Sequence, residues 1–239
     1  MRPRRRLAIV AVAIAAALSL LLGLVVMFGG VGSALASTER DTTVIRKPAR
    51  RVVIAVGSGD VTVFATGTKR EIRVSRESKR FLVGPRITET VRGGVVRLKS
   101  DCPLPLPGPC QTSYRVEVPR GVSLMAKSTA GNVRVEGIRG PIRAESTAGN
   151  VDVSGGRSRS VQARSTAGNV AVRLRSRPDR ITAKSTAGNV DVQVPHGTYS
   201  IEAATTAGDQ SVTGLVDDPD ARRRIMAKTT AGNAAVRAR

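Results

Sequence analysis

The chain has no tryptophan, two tyrosines and three phenylalanines in 239 residues, so aromatics are 2% of the whole. That scarcity leaves little for a base-stacking surface or for aromatic platforms under sugar rings. There is one histidine, His196, and there are two cysteines, Cys102 and Cys110. A metal reading fails for want of ligands, and one histidine cannot serve as general base to a serine that recurs along the chain. Acidic residues are also few: 18 against 39 Lys and Arg, for a net charge of +21. This imbalance points to acidic partners, namely anionic envelope polymers, phospholipid head groups or nucleic acid. Nucleic acid is the weakest of these, because aromatics are scarce and an exported chain would not meet it. Solvated arginines on a basic surface are the plainer alternative.

Charge is absent altogether from one long stretch. After Met-Arg-Pro-Arg-Arg-Arg comes an uncharged apolar run from Leu7 to Gly29. A helix rising ~1.5 Å per residue over such a run covers the ~30 Å hydrocarbon core of a bilayer. Arginines before the run and none just after it put the N-terminus in the cytoplasm and the remainder outside. Ala34-Leu35-Ala36 before Ser37 also makes a small-residue cleavage site, so removal of the segment after Ala36 stays open. The expected layout is a cytoplasmic tail (1–6), a transmembrane signal-anchor helix (7–29), a stalk (30–50), a diverged β part with a disulfide loop (51–120) and regular repeats (121–239). The localisation that follows is a single-pass cell-membrane protein with an extracellular C-terminal domain. Setting aside the four N-terminal arginines, the exported part keeps +17.

Cys102 and Cys110 bracket Pro103-Leu104-Pro105-Leu106-Pro107-Gly108-Pro109. In an oxidising compartment a short Pro-rich loop between two cysteines reads as a local disulfide. Closing it contributes roughly 2–3 kcal/mol.

Beyond the apolar run no 3.6-residue pattern is evident, and β-branched stretches are broken by Gly and Pro. Candidate strands are Val52–Val56, Val61–Phe64, Glu71–Ser75, Arg86–Val91, Val95–Lys99 and Tyr114–Val118. Then Ser-Thr-Ala-Gly-Asn recurs from Ser128, Ser146, Ser165 and Ser185, with variants at Thr205 and Thr229. Its glycines, from Gly131 to Gly232, are spaced 18, 19, 20, 20 and 24 residues apart. Gly57-Ser58-Gly59-Asp60 looks like a diverged first copy. Each unit offers two alternating strands, such as Ile142/Ala144 before the motif and Val151/Val153 after it. Fixed-period self-similarity of this kind marks stacked repeats, and alternation marks strands with one buried face. The expected fold is all-β: a single-stranded β-helix, or β-solenoid, with rungs of about 18–20 residues and a right-handed winding favoured.

Within the motif, Gly before Asn suits a tight turn. Asn132, Asn150, Asn169, Asn189 and Asn233 are expected to form a hydrogen-bonded ladder of amides along the axis, with the Ser/Thr hydroxyls doing likewise. Asp209, in one copy, should weaken the ladder locally. Phosphate-cradling glycine patterns are missing, so no cofactor is implied. Asp60, Asp152, Asp191 and Asp209 lack the Gly-Gly-x-Gly-x-Asp spacing of calcium-binding nonapeptide repeats. No catalytic and no metal-binding residues are assigned. His196 reads as a surface histidine. The least repeat-like segment is the candidate binding loop, with Asp217, Asp218, Arg222, Arg223 and Arg224. Since the repeats run to the last residue given, either Ala234–Arg239 folds back as a cap or an end-to-end homodimer forms there.

The basic N-terminus and anchor, the Cys102–Cys110 loop, the Tyr114-Arg115-Val116-Glu117-Val118-Pro119-Arg120-Gly121-Val122 segment and the Gly-Asn-Val repeats together resemble the putative-adhesin family known as domain of unknown function 4097. The resemblance covers about Val52 to Arg239 and implies a β-helix on the outer side of a bacterial membrane, with no catalytic residues to carry over. This chain departs from the family's Gly-Ser-Gly-Asp repeat by using Ser-Thr-Ala-Gly-Asn, which makes its array more basic. The function expected is a non-enzymatic structural or adhesion-type module at the cell envelope, binding an anionic polymer or a protein partner. An accessory or sensor subunit of an envelope-stress signalling system is the alternative.

Overall fold

The structure, a computed structural model, describes residues 37–67, 71–80, 84–103 and 110–239. The segment read as a transmembrane helix at 7–29, and the tail before it, lie outside the described residues. Among the described residues no helix is long and apolar enough to cross a membrane.

In chain order the strands begin β1 (Ser37–Ile45), β2 (Arg51–Ser58), β3 (Val61–Thr66), β4 (Ile72–Arg80), β5 (Arg86–Arg92), β6 (Val95–Asp101) and β7 (Cys110–Pro119). Next are β8 (Ser123–Ala130), β9 (Val133–Glu136), β10 (Ile142–Ala148), β11 (Val151–Gly156), β12 (Ser160–Ala167), β13 (Val170–Leu174), β14 (Arg180–Ala187) and β15 (Val190–Val194). The last are β16 (Thr198–Ala207), β17 (Gln210–Thr213), β18 (Val216–Asp217), β19 (Arg224–Ala231) and β20 (Ala234–Ala238). They form two ten-stranded sheets. Each repeat gives one strand to either sheet, so the chain winds as a β-solenoid, parallel throughout except where β1, β4 and β5 are laid on antiparallel.

The period of two explains the core. Ile142 stacks between Leu124 and Val161, and Ala144 between Ala126 and Ala163. In the facing sheet, Val151 and Val153 lie between Val133/Val135 and Val170/Val172. All of these side chains are buried. The interior is therefore thin, a row of branched aliphatics opposite a row of alanines, repeated from rung to rung.

Three features differ from the sequence reading. Part of the presumed stalk is sheet: β1 pairs with β4 from Ser37 opposite Arg80 to Ile45 opposite Ile72. As an edge strand exposed on both faces, it carries no apolar alternation by which to be recognised. Residue 120 is also no boundary in space. The β2–β3 rung is sandwiched between β6–β7 and β8–β9, so the diverged part and the regular repeats share one stack. Finally, neither a fold-back cap nor an open end forms at Ala234–Arg239. The last copy, β19–β20, slots between β14–β15 and β16–β17, and β20 lies inside its sheet. The copy left at the end is the polar one. β17 is exposed along its length, while Ile225, Ala227, Ala234 and Val236 of the slotted copy are buried. The longest motif spacing, 24 residues, precedes this copy and gives the chain the length to step back over a rung.

Candidate binding surface

The motif corner begins as a problem in backbone accounting. Where the chain turns from β10 to β11, Gly149 N–H donates to Ala167 O at 2.8 Å and Val151 N–H to Asn169 O at 2.9 Å, both on the rung ahead. The Asn150 N–H between them faces the rung behind, where Asn132 Oδ1 accepts it at 2.9 Å. The Gly131 carbonyl on that rung takes the Ser146 hydroxyl at 2.8 Å. The glycine is required twice over. Gly149 has φ +148°, and a Cβ there would lie 2.2 Å from the Gly131 carbonyl oxygen.

The same bonds recur on each rung. Asn169, Asn189 and Asn233 donate their N–H to Oδ1 of Asn150, Asn169 and Asn189, each at 2.8 Å. Ser128, Ser165 and Ser185 donate to the carbonyls of Gly59, Gly149 and Gly168, each at 2.8 Å, and Thr229 to Gly188 at 2.7 Å. The ladder thus runs from side-chain oxygen to backbone N–H rather than from amide to amide. Its two acidic members sit where the pattern starts and stops. Asp60 accepts the Asn132 N–H at 2.7 Å, and Asp209 donates its own N–H to Asn233 Oδ1 at 2.9 Å on the final rung. Asp209 therefore terminates the ladder; it does not interrupt it. The motif serines are buried and committed as donors, so nothing about them suits a nucleophile.

The remaining candidates fall elsewhere. Asp152 pairs with Arg173 at 2.8 Å and Asp191 with Arg237 at 2.7 Å, linking rungs across the outer face. Among the described residues no three His, Cys, Asp or Glu side chains are grouped to hold a metal. His196 is exposed; its Nδ1 lies 3.0 Å from Gly214 O, and its carbonyl accepts Arg177 Nε at 2.8 Å. The 217–224 loop is partly architecture. Asp217 Oδ1 accepts the Ile201 N–H at 2.9 Å, Asp218 N–H donates to Tyr199 O at 2.9 Å, and Arg224 N–H donates to Asp179 O at 3.0 Å. Arg222 and Arg223 stand in solvent. Cys102 and Cys110 are joined as a disulfide between β6 and β7.

At the end covered by β4 and β5 the interior becomes polar. Arg76 bridges Asp41 and Glu89, each at 3.1 Å. Beside it the hydroxyls of Ser78 and Thr112 are buried without a hydrogen-bond partner among the described residues, and those of Ser100 and Tyr114 are buried next to each other. Burial, followed by the Glu89 charge, pushes the Tyr114 phenol up to about 12, against a smaller opposing pull from Arg76.

The opposite corner, where each rung passes to the next, carries the charge. Arg120, Arg139, Arg157 and Arg175 lie in the turns after β7, β9, β11 and β13 and line one open groove of about 540 Å³. Glu136 is the one carboxylate lining it, and the rest of the lining is Phe64, Ala65, Gly137, Ser154 and Gly155. None of these four arginines makes an ion pair or a side-chain hydrogen bond among the described residues. A second open groove, of about 480 Å³ on the sheet face, is lined by Lys127, Arg164 and Lys184, but there Arg143 is paired with Glu145 at 2.7 Å. The sequence reading missed the arginine corner. The available signal was their own spacing of 19, 18 and 18 residues, in step with the motif.

Two parallel sheets wound as a solenoid, one corner closed by hydrogen bonds and the other open and cationic, define a β-repeat scaffold with a charged surface. The family model for Toastrack DUF4097 matches residues 25–239, and the chain belongs to that family. No curated protein matches its sequence. Its fold is similar to that of a putative cell adhesion protein from Clostridium sporogenes, at 10% identity and a TM-score of 0.51, covering 85% of this chain and 100% of that one. A putative adhesin from Bacteroides fragilis aligns at 12% identity and a TM-score of 0.49 over 85% and 98% of the two chains.

Proposed function

We propose that this chain is a non-enzymatic, adhesion-type binding module of the cell envelope, anchored by a single pass through residues 7–29 with its solenoid outside, and that it holds an anionic polymer by charge. The observation that carries the reading is the arginine corner: four guanidiniums on neighbouring rungs with no ion pair among the described residues, in a chain of net charge +21. The cell-adhesion description of the Clostridium sporogenes protein supports the adhesive half of the reading through likeness of fold. Binding of the full chain, in a non-ionic detergent, to purified anionic wall polymer should weaken about tenfold or more between roughly 50 and 300 mM salt. Binding insensitive to salt, or no binding, rejects the proposal. The anchor is tested separately: under the proposal the protein stays with membranes through an alkaline carbonate wash, whereas release means the segment is cleaved or does not span.

A further inference from the structure

We infer that the groove lined by Arg120, Arg139, Arg157 and Arg175 is a built binding site for an unbranched polymer bearing a phosphate at every repeat, laid along the solenoid axis. This rests on the anionic-polymer reading above and specifies its ligand and its place. The argument starts from pairing. On the sheet faces, some arginines meet carboxylates from adjacent rungs, as Arg173 meets Asp152 and Arg237 meets Asp191, and Arg143 meets Glu145 of its own strand. Among the described residues the four groove arginines have no side-chain partner, which leaves the five N–H donors of each for an outside acceptor. Neighbouring rungs are ~4.8 Å apart, so these four like charges repel one another along a line of ~14 Å, with the single Glu136 carboxylate to offset them until an anion binds.

Geometry then selects the ligand. A row of cations one rung apart matches repeated anions on a line better than a single one. Phosphate oxygens diverge from one centre, so a single phosphate can be gripped by guanidiniums from two adjacent rungs, each through its planar fork. A carboxylate holds all its lone pairs in one plane, so two guanidiniums stacked a rung apart reach it less well than they reach a tetrahedral phosphate. Most of the remaining lining admits close approach, because Gly137 and Gly155 carry no side chain and Ala65 and Ser154 carry short ones; Phe64 is the one bulky side chain there. The groove also has a defined length. On the next rung Val194 is followed by Pro195, where Leu174 is followed by Arg175, so the arginine row ends there.

The test uses the full chain in a non-ionic detergent, with short-chain polyphosphate as probe and polyglutamate of matched charge, orthophosphate and anionic phospholipid vesicles as comparators. Polyphosphate should bind tightest. Arg139→Ala, Arg157→Ala and Arg175→Ala together should weaken it about 30-fold or more and flatten the salt dependence by about two to three units of slope. The same three positions changed to Lys should weaken it about 5–10-fold, since the charge stays and the fork is lost. Lys127→Ala, Arg164→Ala and Lys184→Ala, on the other groove, should change it less than about threefold. All of these side chains are at the surface, so an unchanged melting temperature certifies that the variants are folded. Should polyanions bind but respond only to the Lys127/Arg164/Lys184 set, or polyglutamate or vesicles bind as tightly as polyphosphate, the groove assignment is overturned while the broader anionic reading stands. If no polyanion binds at all, both fall.

Discussion

A methyl group at position 149 has nowhere to go. Its carbon would lie 2.2 Å from the Gly131 carbonyl oxygen, on a backbone with φ +148°. Gly149→Ala should cost about 2–4 kcal/mol, read from urea denaturation. Asn150→Ala should cost about 1 kcal/mol by orphaning the Asn169 N–H, and Asn150→Asp less, because a carboxylate still accepts, as Asp60 does for Asn132. Tyr114 sets an alkaline limit. Its phenol titrates near 10 in the unfolded chain and near 12 when folded, so its contribution is intact below pH 10 and is lost as pH rises from 10 to about 12. The full loss is on the order of 3 kcal/mol. Tyr199, also raised by burial, acts in the same direction. Tyr114→Phe should shrink the drop in urea midpoint between about pH 9 and pH 12; an unchanged drop would rule out this origin. At this scale the turn chemistry of Gly-Asn was legible. The partners were not, since a serine does not announce whether its hydroxyl bonds to the rung behind or the rung ahead.

Among elements, the repeat strands could be read because their inward positions alternate and their outward ones are polar. β1 could not, since both its faces are wet and its only signature is the strand it pairs with, some thirty residues on. The order of the rungs was equally hidden. Alternation tells a strand which face to bury but not which neighbour to choose, and near-identical copies fit several slots. Composition still hints at the answer: the copy with Gln210 and Asp209 ends the stack, and the copy with Ile225 and Val236 fills it. Hydrogen exchange should therefore follow space and not sequence. Amides of β19–β20 should exchange more slowly than those of β16–β17, although they come later in the chain. Equal rates in the two rungs, or faster exchange in β20, would contradict the slotted arrangement. Changing Cys102 and Cys110 to Ser should cost about 2–3 kcal/mol, read as a lower urea midpoint with the repeat strands still folded.

For the molecule as a whole, the solenoid separates its chemistry by corner. One edge spends its polar groups on itself through the serine and asparagine ladders, and the other presents unpaired guanidiniums to solvent. Net charge was legible at once from composition, but the row of four arginines along one edge required the winding, because each lies a full turn from the next in sequence. The salt dependence of polymer binding belongs to this scale, since it sums charges that no single rung holds. The slotted rung has a consequence for assembly. A chain made from its N-terminus presents β16–β17 before β19–β20, so the earlier rung must wait, or give up a place it has already taken, until the later one arrives between it and β14–β15. The last copy works as a clasp: the stack closes only around a chain translated through its final repeat, and a fragment that stops short ends in an unlatched rung.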